Sequence, residues 1–271
     1  MKINRNIPRY LTIAFWCCII ASTLVLVVAA VKSKSEQICA GFEINIKEPV
    51  SGQWFVEKND IFRLLTIEGT EQIKGKQLHK FDLKKMEERL KKDIWIKDAQ
   101  LFFDNRSVLL VKISQRVPVA RIFTVGGNSF YIDSAAKKLP LSRKISARLP
   151  VFTGFPVEKV RLQRDSILLL QVKELSSFIL GDPFWMAQVA QVDITSNREY
   201  EIIPTIGNHI IQFGNGNDIE KKFRKLMLFY QQVIVKTGFE KYKVINIQYI
   251  DQVIGVKKEE GNVQKPNYSN N

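Results

Sequence analysis

The sequence predicts an α+β chain. It begins with a single N-terminal transmembrane helix, continues into a compact domain of β-α-α-β-β order, and ends in a second β-rich domain with helices packed on an open sheet. Three observations predict this. Tyr10 to Val31 is a run of 22 residues without Asp, Glu, Lys, Arg or His. The rest of the chain alternates between the two-residue apolar period of strands and the 3.6-residue period of helices. No second uncharged run approaches eighteen residues, which excludes a polytopic protein.

As a helix, the first run spans roughly 33 Å at about 1.5 Å per residue, enough for a hydrocarbon core of about 30 Å. Its middle, Ile19 to Val28, is nearly all aliphatic, and Phe15 and Trp16 lie near one interface, where amphipathic rings are favoured. A cleaved signal has an apolar core of about 7–15 residues, so this longer run reads as a permanent anchor despite Ala29 and Ala30. Lys2, Arg5 and Arg9 precede the run, and Lys32, Lys34 and Glu36 follow it. The positive-inside bias therefore places residues 1–9 in the cytoplasm and the bulk of the chain outside.

The whole chain carries a formal charge of +14, and removing the three N-terminal cations leaves +11 on the exported part. Such a balance can favour anionic partners, although a solvated basic surface is the simpler reading. Nucleic acid is excluded as a partner by the predicted location. Of the three cysteines only Cys39 is exported, so no internal disulfide is expected there, and an intermolecular bridge stays open.

Residues 32–41 read as a juxtamembrane linker. Phe42, Ile44 and Ile46 then alternate with Glu43, Asn45 and Lys47 as a half-buried strand. Val56 to Leu65 reads as a short helix. Asp82 is placed to cap a second helix whose apolar stripe is Leu83, Met86 and Leu90. Glu87, Glu88, Arg89, Lys91 and Lys92 read as its solvated face. Trp95 to Phe103 and a run around Leu109, Val111 and Ile113 are strands either side of the turn Asp104-Asn105-Arg106. One sheet with both helices on one face would bury all these stripes in one core. Pro118 cannot donate to a ladder, so it marks an edge or a hand-over between domains.

In the second domain, Leu168, Val172, Leu175 and Ile179 have helical spacing from Ser166 to Leu180, and Gly181-Asp182-Pro183 stops that helix. Val189 to Ile194, Tyr200 to Ile203 and His209 to Phe213 read as strands, the last two joined by a Gly207-Asn208 hairpin turn. A longer helix presents Ile219, Phe223, Leu226, Tyr230 and Val233 to the core, with Lys221, Lys222, Arg224 and Lys225 largely off that stripe. Lys243 to Tyr249 and Gln252 to Lys257 are the last strands. Residues 258–271 read as a disordered tail.

Four stretches carry a family resemblance. They are Asp82-Leu83 through Trp95-Ile96-Lys97-Asp98-Ala99, Gln115-Arg116-Val117-Pro118-Val119-Ala120-Arg121, Phe130-Tyr131-Ile132-Asp133 with Leu139-Pro140, and Leu149-Pro150-Val151-Phe152-Thr153-Gly154. In this order behind one anchor, they resemble the bacterial cell division family FtsQ/DivIB in a Bacteroidetes-like form. The resemblance implies a POTRA domain over 42–116 and a β domain over 117–257. It also implies a bitopic, non-enzymatic divisome scaffold of the cell inner membrane, enriched at the septum, which binds FtsB/FtsL-like proteins and helps control septal peptidoglycan synthesis. Where the family pattern has Asp and Arg this chain has Asn246 and Gln248, while Tyr249 and Gly255 fit.

Enzyme chemistry finds no footing in the residues. His79 and His209 are the only histidines, and neither has metal-ligand spacing. Gly126-Gly127 and Gly214-x-Gly216 are too short for a phosphate cradle, and no nucleophile elbow or S-x-x-K signature occurs. The expectation is no catalytic residue, metal, cofactor or small-molecule substrate. Two other binding roles stand as alternatives. One is a POTRA-type protein of translocation, which would need an outer-membrane barrel that residues 257–271 are too short to supply. The other is a direct cell-wall binder acting through its charge.

The resemblance places a partner segment against the last strand, over Tyr249, Ile250, Asp251, Gln252, Val253, Ile254, Gly255 and Val256. An open last strand leaves unpaired N–H and C=O groups that invite a strand or must be blocked. This one lacks Pro and holds its charges at the margins, in Asp251, Lys257 and Lys258. Tyr249 is the expected side-chain anchor, and packing in the protein's own core is its alternative role.

Overall fold

The computed structural model describes residues 14–27, 37–49, 52–66, 72–142, 144–156, 163–249 and 251–258. The predicted cytoplasmic segment 1–9, Ile250, and all but residue 258 of the predicted tail lie outside them, as do both ends of the predicted anchor. Within that anchor, residues 14–27 form helix α1, with Phe15, Trp16, Ile20 and Leu24 to Val27 exposed. No helix among the described residues is long and apolar enough to cross a membrane. The chain divides into two compact units, Met1–Arg116 and Val117–Asn271.

The first unit contains β1 (Gly41–Ile46), α2 (Lys58–Leu65), α3 (Leu83–Lys91), β2 (Ile96–Phe103) and β3 (Val108–Gln115). Its sheet order is β1-β3-β2, with β1 parallel and β2 antiparallel to β3. Asp82 caps α3, accepting the Lys85 N–H at 3.0 Å. Asp60 closes a capping box on α2, accepting the Glu57 N–H at 2.9 Å and pairing with Arg63 at 2.7 Å. The β2–β3 turn is held by Asp104, whose Oδ1 accepts the N–H groups of Arg106 and Val108. Ile61 and Leu65 from α2, Met86 and Leu90 from α3, and Ala99, Leu101, Leu109 and Val111 from the sheet share one buried core. Glu87 and Cys39 behave differently from the sequence expectation, and Gln115 ties the chain before α2 to the sheet. Glu87, read as solvated, accepts the Leu101 N–H at 2.7 Å. Gln115 accepts the Phe55 N–H at 3.0 Å and donates to the Gln53 carbonyl at 2.6 Å. Cys39, placed in the linker, is 1 % exposed within the core, with its Sγ donating to the Gly41 carbonyl.

Among the described residues of the second unit, nine strands form one mixed sheet. They are β4 (Pro118–Thr124), β5 (Ser129–Asp133), β6 (Lys138–Leu139), β7 (Val151–Phe155), β8 (Val189–Ile194), β9 (Tyr200–Pro204), β10 (Ile210–Gly214), β11 (Tyr242–Asn246) and β12 (Ile254–Lys257). Their order is β12-β11-β10-β9-β8-β7-β4-β5-β6. Pro118 is the first residue of β4, an inner strand, where the missing N–H costs least; it is the second residue after the boundary between the units.

Parallel neighbours need a crossover; β5 and β6 lie between the parallel pair β4 and β7, and helices lie in the other two connections. Helices α4 (Gln163–Gly181) and α5 (Pro183–Gln188) join β7 to β8, and α6 (Ile219–Phe229) lies between β10 and β11. Leu168, Val172, Leu175 and Ile179 are buried with Phe223 and Leu226 in one core against the sheet. Gly181-Asp182-Pro183 ends α4 but also starts α5, because Asp182 accepts the Phe184 N–H at 2.8 Å. Helix α6 runs on through a π-helical turn, Tyr230–Ile234, and a last α-helical turn α7 (Val235–Thr237).

Lys222 departs from the sequence expectation of an off-core charge: it is 5 % exposed. Its ammonium donates to the Asn215 carbonyl at 2.7 Å and lies 4.7 Å from the Phe213 ring centroid. Burial holds its pKa below the ordinary lysine value.

Candidate partner-binding site

Among the described residues, strand β12 pairs only with β11 and forms one edge of the nine-stranded sheet. It covers the end of the predicted stretch. Gln252 and Val253 precede it in extended chain, Tyr249 and Asp251 lie in bends, and Ile250 is outside the described residues. Both last strands are shorter than the sequence suggests. Asn246 stops β11: its Oδ1 accepts the Gln248 N–H at 3.0 Å and turns the chain, while its Nδ2 donates to Gln212 Oε1 at 3.0 Å. The two positions that depart from the family pattern thus make a local turn, and neither forms a salt bridge.

Side chains alternate along the edge as a strand requires. Val253 packs against the core, and Gly255 faces Tyr242 and Phe229 of the helical side. Ile254 and Val256 point the other way, 40 % and 48 % exposed. Behind them the register aligns Val256 with Val244 and Val244 with Ile210, so an apolar row crosses three strands and ends at the open edge. The sequence stretch had not included Val244 and Ile210; their same-face spacing with Gln212 and Asn246, opposite the buried Ile211 and Ile245, was the available signal. Tyr249 is 47 % exposed, so its core alternative does not hold.

The approach to the edge is pinned from the helix. Lys225 of α6 donates to the Tyr249 carbonyl and, at 3.4 Å, to that of Ile247. Burial lowers its pKa, with Asp251 and Asp218 pulling it back up. At the far end Lys258 pairs with Glu240 at 2.8 Å, and its N–H donates to the Lys241 carbonyl. The bend before β12 and the residue after it are both fixed, and the strand between them presents its open side.

Neither histidine belongs to such a site. His79 is exposed in a short turn. His209 is 2 % exposed, stacked on Phe239, with its Nε2 3.4 Å from the Tyr230 hydroxyl. Among the described residues no group of three or more His, Cys, Asp or Glu could hold a metal.

The model of the family "FtsQ/DivIB, C-terminal related" matches residues 117–256, more than half of the chain, and a POTRA-like domain model matches residues 37–114. Curated relatives agree. The chain is 21 % identical over 197 residues to the cell division protein FtsQ of Rhodothermus marinus, covering 70 % of this chain and 71 % of the relative. It is 23 % identical over 178 residues to the cell division protein FtsQ of Salinibacter ruber, covering 62 % and 66 %. With a POTRA-like domain ahead of a β-rich domain whose last strand is an open edge, this chain belongs to the FtsQ/DivIB family of cell division proteins.

Proposed function

We propose that this protein is a non-enzymatic, single-pass scaffold of the division machinery, and that it captures an FtsB/FtsL-like partner by strand addition along β12. The open edge of β12 carries this reading. Each added backbone hydrogen bond contributes about 0.5–1.5 kcal/mol net, so a four-residue strand needs side-chain contacts as well. The exposed rings and branches of Tyr249, Ile254 and Val256 supply them, and the row through Val244 and Ile210 extends the apolar surface. In this reading the partner signals to septal wall synthesis.

The apolar run 10–31 and the helix within it support an uncleaved anchor of the inner membrane, with its N-terminus in the cytoplasm. The domains follow as residues 42–116 and 117–257 outside, between a short linker and the tail.

The test is a pull-down of the membrane-anchored division proteins with Tyr249→Ala and Ile254→Glu. Both residues are exposed, so both variants keep the parent melting temperature, and at least one loses the partner. Normal capture by both would place the site elsewhere.

A further inference from the structure

The connection from β11 to β12 is gathered around the ammonium group of Lys225 on α6. The carbonyls of Ile247 and Tyr249 both accept from it, and the carboxylate of Asp251 attracts it. Asp251 is exposed, so its attraction contributes little by itself, and the two carbonyl contacts carry the geometry.

The two ends of the connection are held without Lys225. The Ile247 N–H donates to the Gln212 carbonyl at 2.9 Å. Gln248 lies against Gly214, where a β-carbon would come within 2.7 Å of its Cβ. At the far end Val253 packs on the core, and Ile254 stands in register with Asn246. Tyr249 lies between these held points, in a bend outside both strands. A bend has no ladder to fix it, so its conformation follows whatever satisfies its carbonyls. Here one residue turns its carbonyl to α6 and leaves its ring 47 % exposed.

We infer that Lys225 is a positioning residue for the partner edge: by holding the Tyr249 carbonyl it keeps the Tyr249 ring where an added strand meets it. This rests on the reading of β12 as the capturing edge. Lys225 acts on the free protein. It raises the fraction of molecules whose connection already has the binding geometry, and apparent affinity scales with that fraction. A methionine at 225 keeps an apolar stem on the helix but leaves both carbonyls to water, and the bend then samples other conformations.

The experiment uses the full chain in detergent micelles, as the parent, Lys225→Met, Tyr249→Ala and the double variant. The first readout needs no partner: chymotrypsin cleavage after Tyr249, identified by fragment mass. Lys225→Met speeds this cut severalfold at an unchanged melting temperature, because cleavage requires the segment to loosen. A parent-like rate overturns the inference. The second readout is the rate of binding to an immobilised FtsB/FtsL-like partner. If the held bend falls to about a tenth of its population, Lys225→Met slows association about tenfold and leaves dissociation near the parent rate. Tyr249→Ala speeds dissociation instead. In the Tyr249→Ala background Lys225→Met has no further effect, because no ring is left to place; fully additive losses overturn the inference. Should Lys225→Met fail to fold, Lys225→Gln, uncharged and one atom shorter, is read in the same way. Loss of the partner in Tyr249→Ala or Ile254→Glu with parent-like association in Lys225→Met sinks the positioning role alone. Normal capture by both Tyr249→Ala and Ile254→Glu sinks the reading of the edge and the positioning role with it.

Discussion

Gly255 lies directly against the ring of Tyr242: a β-carbon at position 255 would sit 2.6 Å from Cε1 of that ring. The ring itself is braced edge-on by Phe229, at 5.5 Å between centroids. Strand β12 therefore approaches β11 as closely as it does only because residue 255 has no side chain.

Gly255→Ala is expected to lift β12 from the sheet without unfolding the domain. Overpacking of this kind costs about 1–3 kcal/mol where the surroundings are rigid, and an edge strand can move instead. Amide exchange at 254–257 should accelerate while exchange in α6 stays unchanged, and partner capture should fall. Unchanged exchange at the edge would show that the ring can give way.

Lys222→Ala should destabilise the second unit by about 1.5–3 kcal/mol, the range for a hydrogen bond to a charged group. It leaves the Asn215 carbonyl without its ammonium and opens space beside the buried ring of Phe213. Urea unfolding of the variant against the parent measures this. Lys221→Ala, one position away and 70 % exposed at the side chain, serves as the control with little effect.

Acidification should weaken the fold through His209. Burial lowers its pKa, Lys258 lowers it further, and Glu240 opposes them. With the folded value below the unfolded value near 6.5, stability is complete above pH 6.5. It falls as the pH drops from there through the folded pKa, because the unfolded chain takes up the proton first. His209→Gln should flatten that part of the stability–pH curve. An unchanged slope would place the titration elsewhere.

Cys39 should resist a maleimide in the folded protein and react fully in urea, with Cys17 and Cys18 replaced by Ser to clear the background. Its 1 % exposure also argues against an intermolecular disulfide through this residue. Rapid labelling of the native chain would contradict the packing of the first unit.

Much of this architecture is legible in local residues. Asp82 as a cap and the alternation from Phe42 to Ile46 need only their neighbours to be read. Other features depend on distant chain. Gly181-Asp182-Pro183 reads as a stop, yet Asp182 also opens α5, which is too short to show a period. Lys222 reads as surface because charge on a helix is usually solvated; only the fold brings the Asn215 carbonyl within reach. The strand ends near Asn246 were misjudged because its side chain competes with the ladder for the Gln248 N–H. The place of β12 at the edge came from family resemblance: its pairing with β11, the strand just before it, is local, but nothing in either strand says whether a further strand lies on the other side.

The strand order of the large sheet also bears on how the chain is made. After β7, every strand lies beside the one that precedes it in sequence, out to β12. A chain emerging N-terminus first can lay down this sheet one strand at a time, each arrival finding its neighbour already in place. Segments far apart seldom need to find each other, which shortens the exposure of unpaired strands to aggregation. Strand β12 comes last, so the edge proposed to take a partner is completed only when the rest of the sheet has been built.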